Sequence, residues 1–555
     1  MSGAWDAGRR SAFAARLWRK DAALWSADPA HQRVAASRLG WLDLPESMRA
    51  ETPLLRRVAA QVADEEITHA VLLGMGGSSL APEVMRLMAG ARNSALELMV
   101  LDNTSPAAVR AVTESHDPRR TLFVVSSKSG TTIEVLSFER YFYEWVRHEQ
   151  GDRAGRSFVA ITDPGTPLDR LATERGYRRV FRNPPDVGGR YSALSLFGLV
   201  PAALIGLDPE ALRESAAAEL AESRKDPTGG VGVVFGAELG AAALAGRDKL
   251  MLAFGPSWEP FAAWVEQLIA ESTGKEGKGI LPVEGEPIGP VALAGRDRAF
   301  ATTPDLDPEV GRAIAHGSQP AWLVDLAAPD QLGAAFLRWE IAVATAGAVL
   351  ELDPFDEPNV AEAKKATDSV LQRALADGHF PEEPALIEDG ACQIWAGGRA
   401  ERPLQEARPG DAAAALEALL ALARPGDYVA VLAYLHRTPE VHERLQRLRL
   451  ALGAGSRLAT TLGYGPRFQH STGQLHKGGP DTGLFVQITG DEGPDLEIPG
   501  QPYTFGMLRR AQAAGDFETL ARRGRRVLRV DVGADPARGL GELLEKMERV
   551  GRTER

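Results

Sequence analysis

The chain has 555 residues, 63 Lys and Arg against 75 Asp and Glu, a formal net charge of -12 and 44% hydrophobic residues. That length holds about two to four domains, and the acidic balance argues against nucleic acid as the main partner. A single cysteine, Cys392, rules out an intramolecular disulfide and any multi-cysteine metal site, while the charged first 30 residues and the lack of a long apolar run lead to the expectation of a cytoplasmic protein with no membrane span.

In chain order, residues 1 to about 55 mix apolar and charged residues at helical spacing, with Phe13, Leu17 and Leu24 on one face, Trp18 and Trp25 beside it and a break at Asp28-Pro29. They read as a helical arm. From about 56 to 226 apolar runs alternate with helical stretches: His69–Leu73, Leu96–Leu101, Leu122–Ser126 and Phe158–Thr162 each end in turn or cap residues. This is the signature of a doubly wound α/β domain with a parallel sheet. The polar stretch Glu222–Gly230 is the candidate linker. Alternation then resumes, with strands over Lys249–Phe254 and Ala321–Leu326 and helices over Phe261–Ser272 and Leu332–Leu350. Residues 366 to about 425 read as an insertion of helices and loops, and Tyr428–Leu435, Arg457–Leu462, Leu484–Thr489 and Val527–Val532 supply further strands that either complete the second sheet or form a third.

Two turns carry the chemistry. Gly74-Met75-Gly76-Gly77-Ser78-Ser79 follows the first strand, and Ser127-Lys128-Ser129-Gly130-Thr131-Thr132 follows the third. Glycines free backbone N–H groups, hydroxyls add donors and a helix N-terminus favours an anion, so the pair reads as a phosphate cradle with Lys128 adding charge. The first turn alone leaves three readings open: a sugar phosphate, a dinucleotide with Asp102 as the ribose acid, or tight packing only. The second turn, with more hydroxyls than one cap requires, favours the phosphate.

Taken with these turns, three further segments resemble the phosphoglucose isomerase family: Gly188-Gly189-Arg190-Tyr191-Ser192, Glu271-Ser272-Thr273-Gly274-Lys275 and Asp353-Pro354-Phe355-Asp356-Glu357-Pro358-Asn359-Val360 through Lys364. A histidine segment, Gln469–Gly479, follows the lysine segment instead of preceding it, an order similar to that in the isomerase half of transaldolase/phosphoglucose isomerase fusions. The resemblance implies an α/β fold of two doubly wound parallel-sheet sugar-isomerase domains, at 56–226 and 227–555, with the arm at 1–55 and a C-terminal α/β extension. It also implies a homodimer.

Aldose-ketose isomerisation moves a proton between C1 and C2 through an enediolate, so it requires one well-placed carboxylate and no nicotinamide. No cofactor or metal is expected. Glu271, at the C-terminal end of an apolar helix, has its pKa raised there, and Gln267 shares its face. The resemblance makes Glu271 the proton carrier, Arg190 the stabiliser of enediolate charge, and Lys364 with His470 the ring-opening pair. His316 and His476 are the rival histidines. Gly77, Ser78, Ser127, Lys128, Ser129, Thr131 and Thr132 are the expected phosphate-binding set, the substrate being a small sugar phosphate. A non-catalytic sugar-phosphate-binding regulator is the alternative.

Overall fold

The computed structural model describes residues 5–90, 96–324, 331–381, 384–491 and 493–553. Among them, β1 (His69–Gly74), β2 (Glu97–Leu101), β3 (Thr121–Ser126), β4 (Phe158–Thr162) and β5 (Arg179–Arg182) form a parallel sheet in the order β2-β1-β3-β4-β5. β6 (Lys249–Ala253), β7 (Leu281–Val283), β8 (Arg298–Thr302) and β9 (Ala321–Leu323) form a second, in the order β7-β6-β8-β9. A third contains β10 (Ile387–Asp389), β11 (Cys392–Gly398), β12 (Tyr428–Ala433), β13 (Ala459–Tyr464), β14 (Gly483–Thr489) and β15 (Arg526–Asp531), ordered β10-β11-β15-β14-β12-β13.

The parallel strands of all three sheets share one winding: the first strand lies between the second and the third, and the fourth follows the third. That order places a crevice at the C-terminal ends of the first and third strands, where the chain turns off in opposite directions. In the first sheet this is where the glycine turn and the hydroxyl turn lie.

The α/β character with parallel sheets agrees with the sequence reading, and the late strands form a third sheet of their own. Residues 387–398, inside the stretch read as helices and loops, instead form the antiparallel edge of that sheet. β10 is only three residues long, and the alternation in β11 stops after Ile394, so no sustained period marks them. The candidate linker is a tight corner: the helix Pro209–Lys225 runs to Lys225, and a second, Gly230–Leu244, leaves it at 74°. Residues 325–326 of the expected strand Ala321–Leu326 lie outside the described residues.

The helix Leu332–Val349 is long and apolar enough to cross a membrane, yet 94% of it is buried inside the protein. Gly236 and Gly240 allow Gly230–Leu244 to lie directly on it; a Cβ at Gly236 would stand 2.1 Å from the Ala342 carbonyl. The arm packs on the same body, with Phe13, Leu17 and Trp25 buried and the Trp25 indole N–H donating to the Ala344 carbonyl at 2.8 Å. Asp28 marks a helix start, its carboxylate capping Pro29–Ala36.

One helix, Phe505–Arg522, joins the first and third sheets. Phe505, Leu508 and Ala511 enter the core beneath the first sheet, whereas Ala513, Phe517 and Leu520 enter the core shared by the second and third. Packing against two cores leaves this helix with little beyond Arg510 and Arg522 exposed, so its buried polar residues, Gln512 among them, must find partners within the protein.

Candidate active site

Gly76–Ser78 makes a single 3-10 turn after β1, with Gly76 at φ +56°. A Cβ there would stand 2.8 Å from the His470 carbonyl and 3.0 Å from Gln267 Nε2, and one at Gly77 would stand 2.1 Å from the Gly189 carbonyl. Three distant segments therefore meet on this turn, and only glycine leaves room for them. The Ser79 hydroxyl is used internally, on the Gly76 carbonyl at 3.1 Å, while that of buried Ser78 has no partner among the described residues. Asp102 is not free to hold a ribose: its carboxylate pairs with Arg467 at 3.1 Å. Burial pushes Asp102 up to about 6, with Arg467 opposing the rise and Glu83 adding to it.

The hydroxyl turn precedes the 18-residue helix Ile133–Gln150. Its hydroxyls pair with one another, Ser127 with Thr132 at 3.1 Å and Ser129 with Thr131 at 2.9 Å. Thr132 stands at the N-cap but makes no side-chain bond into the helix, so the first-turn N–H groups keep their capacity for an anion. Lys128 departs from the sequence reading. Its ammonium is committed to an ion pair with Asp163 and to the Pro185 carbonyl at 3.0 Å.

At the other end, the helix Phe261–Thr273 carries Gln267 and Glu271 one turn apart, with Gln267 Nε2 donating to the Glu271 carboxylate at 3.2 Å and to the His470 carbonyl at 2.8 Å. Arg190, 4% exposed, stands 3.3 Å from Glu271 and 3.1 Å from Glu357. Its remaining donors hold the Pro354 carbonyl at 2.8 Å, the Asp356 carbonyl at 2.7 Å and the Ser272 hydroxyl at 3.0 Å. Lys275 clamps the same turn through the Asp353 carbonyl at 2.8 Å and the Asp356 carboxylate at 2.7 Å. Arg190 is thus gripped on several sides and its geometry preset. Burial is the largest influence on Glu271 and raises its pKa; Arg190 opposes that rise and Glu357 adds to it.

His470 Nε2 lies 3.1 Å from Glu134, whose carboxylate also accepts from Gln512 at 2.8 Å. Burial works against ionisation of Glu134, but the His470 ring, and to a lesser extent the charge of Lys364, hold its carboxyl below the ordinary value. An ionised carboxylate only accepts, so Nε2 carries the hydrogen and Nδ1 is the nitrogen free to exchange a proton. Lys364 is exposed on the helix Pro358–Asp377 and acts on this group through its charge. His316 is exposed at the end of the helix Pro308–Ala315, its ring bonded to the Arg312 carbonyl at 2.7 Å. His476 is buried among Phe468, Phe485 and Tyr428, and burial depresses its pKa strongly.

The structure therefore brings Glu271, Arg190, Gln267 and His470 together on the glycine turn, with Lys364 nearer its rim. Gln512 and Arg467 escaped the sequence reading. Both lie outside any local motif, and each acts across a sheet boundary; Glu134, two residues beyond the hydroxyl turn, is a further site residue that the sequence analysis does not name.

Parallel sheets wound about a crevice, with glycine and hydroxyl turns at the ends of adjacent strands, define a doubly wound α/β fold. Residues 56–280 match the sequence profile of the family described as phosphoglucose isomerase, and through them the chain is related to those enzymes. It is 36% identical over 210 residues to a glucose-6-phosphate isomerase of Thermus thermophilus, covering 35% of this chain and 49% of that protein. A longer match, 28% identical over 424 residues, links it to the glucose-6-phosphate isomerase of Heliobacterium modesticaldum and covers 65% and 93% of the two chains. The chain spans about half the length of the Thermus relative (49%). Among solved structures, a hypothetical protein of Thermus thermophilus shares the fold with a TM-score of 0.56 at 24% identity, over 65% of this chain and 95% of that one.

Proposed function

We propose that the protein interconverts glucose 6-phosphate and fructose 6-phosphate through an enediolate. The phosphate sits on the hydroxyl turn, held by Ser127, Ser129, Thr131, Thr132 and the free hydroxyl of Ser78. His470 exchanges a proton with the ring oxygen through Nδ1 while Glu134 holds its other nitrogen, and the charge of Lys364 assists. In the open chain Glu271 takes the proton from C2 and returns it to C1, and the hydroxyl proton passes from O2 to O1, so no redox partner is consumed. Arg190 stabilises the charge that develops on the two oxygens.

The observation that carries this reading is the buried Glu271 carboxylate, its pKa raised, set between Arg190 and Gln267. A carboxylate with a raised pKa serves well both as base and as returning acid near neutrality. The test is a coupled assay on Glu271→Gln with both sugar phosphates. Loss of turnover by about 10²–10⁴-fold is expected, and near wild-type turnover would refute the assignment.

A further inference from the structure

Away from the crevice, three ligand atoms converge where the arm meets the turn that grips Arg190. His31, on the helix Pro29–Ala36, places Nδ1 3.7 Å from Asp353 Oδ2 and 3.8 Å from Asp356 Oδ2. All three atoms lie within 4.8 Å of one another. We infer that His31, Asp353 and Asp356 bind a divalent transition-metal ion that pins the N-terminal arm to the Arg190 turn.

The unsatisfied state of Asp353 carries the inference. Its side chain is 1% exposed; Oδ1 accepts the Phe355 N–H at 2.9 Å, while Oδ2 is buried without a hydrogen-bond partner. A buried carboxylate oxygen left unpaired is costly. The His31 ring does not satisfy it, because both ring-to-carboxylate distances exceed hydrogen-bonding range. They are nearly equal, as a shared central ion would leave them. Metal–ligand bonds of about 2.0–2.2 Å place tetrahedral ligands about 3.4 Å apart, so the two ring-to-carboxylate distances need contract by only a few tenths of an ångström to share an ion. His31 is 37% exposed, which leaves room for water to complete the coordination.

The neighbouring cations do not fill this role. Lys275 holds the other oxygen of Asp356 and the Asp353 and Asp356 carbonyls, and Arg190 is paired with Glu271 and Glu357. One imidazole with two carboxylates suits Zn²⁺, Co²⁺ or Mn²⁺ better than Ca²⁺ or Mg²⁺, which favour all-oxygen shells.

Calorimetric titration of the EDTA-stripped full chain with Zn²⁺, supported by the absorption spectrum of the Co²⁺ form, tests the site. The wild type is expected to bind one ion that His31→Ala and Asp353→Asn each bind at least tenfold more weakly, and Zn²⁺ is expected to raise the melting temperature of the wild type only. His31 is partly exposed, so metal-free His31→Ala should melt like the wild type, keeping the comparison valid if Asp353→Asn folds poorly. Absence of binding to the wild type, or loss of less than tenfold in His31→Ala, overturns the inference.

Discussion

The two ends of the crevice are built on opposite plans. Around Glu271 the buried cations are gripped from several sides, Arg190 by two carboxylates and two carbonyls, Lys275 by the same turn. Around the hydroxyl turn, Ser129 and Thr131 are exposed and the side chains satisfy one another in pairs. Charge that develops during a reaction is stabilised best by dipoles already in place. A phosphate that must enter and leave needs donors that can exchange partners. In the proposed reaction, preorganisation at one end and interchangeable hydrogen bonds at the other answer those two demands.

The largest effect that separates the ends is expected from Glu271→Gln. Its turnover should fall by about 10²–10⁴-fold, while inhibition by inorganic phosphate stays near wild type. The same variant should be more stable than wild type near neutrality. The folded pKa of Glu271 lies above 4.5, so stability is fully present below that value and is lost as pH rises through the folded pKa; a glutamine carries no such loss. Melting curves from pH 4 to pH 8 would show the gap widening with pH, and a constant gap would refute the linkage.

Next in size is Arg190→Ala. Removing one partner of a buried pair leaves Glu271 and Glu357 without their cation, and the expected loss is about 3–5 kcal/mol in denaturant unfolding. Because Arg190 opposes the rise in the Glu271 pKa, the acid limb of kcat/KM in any active fraction should also move to higher pH. In the wild type that limb should already lie above the ordinary glutamate value. At the open end, Thr132→Val should raise KM by about fivefold, the equivalent of one hydrogen bond, with kcat and melting temperature nearly unchanged.

What the sequence disclosed follows the same division between local and distant causes. β1, β3 and β4 are buried on both faces, so Val71-Leu72-Leu73 and Leu122–Val125 appear as continuous apolar runs. β5 is an edge strand with an arginine at each end, and β7 is three residues long with Pro282 at its centre, so neither carries such a run. The candidate site divides likewise. Glu271 and Arg190 announce themselves through contiguous motifs, whereas the bond from Gln512 to Glu134 spans 378 residues and depends on how one helix bridges two sheets. The glycines of the first turn read as an anion loop, and their tightest contacts are with the backbones of Gly189 and His470.

Lys128 tests the comparison most finely, because the sequence assigns its charge to the phosphate and the fold assigns it to Asp163. In the folded chain its ammonium already holds that carboxylate and the Pro185 carbonyl. Burial raises the pKa of Asp163, and Lys128 is the main influence restraining it. Lys128→Ala should therefore cost about 1 kcal/mol of stability, as expected for a partly exposed pair, and change KM by less than about twofold, well under one hydrogen bond. Adding Asp163→Asn should recover most of the stability, since the stranded carboxylate is then gone. A tenfold rise in KM without loss of stability would show instead that the ammonium leaves Asp163 when phosphate arrives, and the open end of the crevice would then owe its affinity to a mobile charge as well as to hydroxyls.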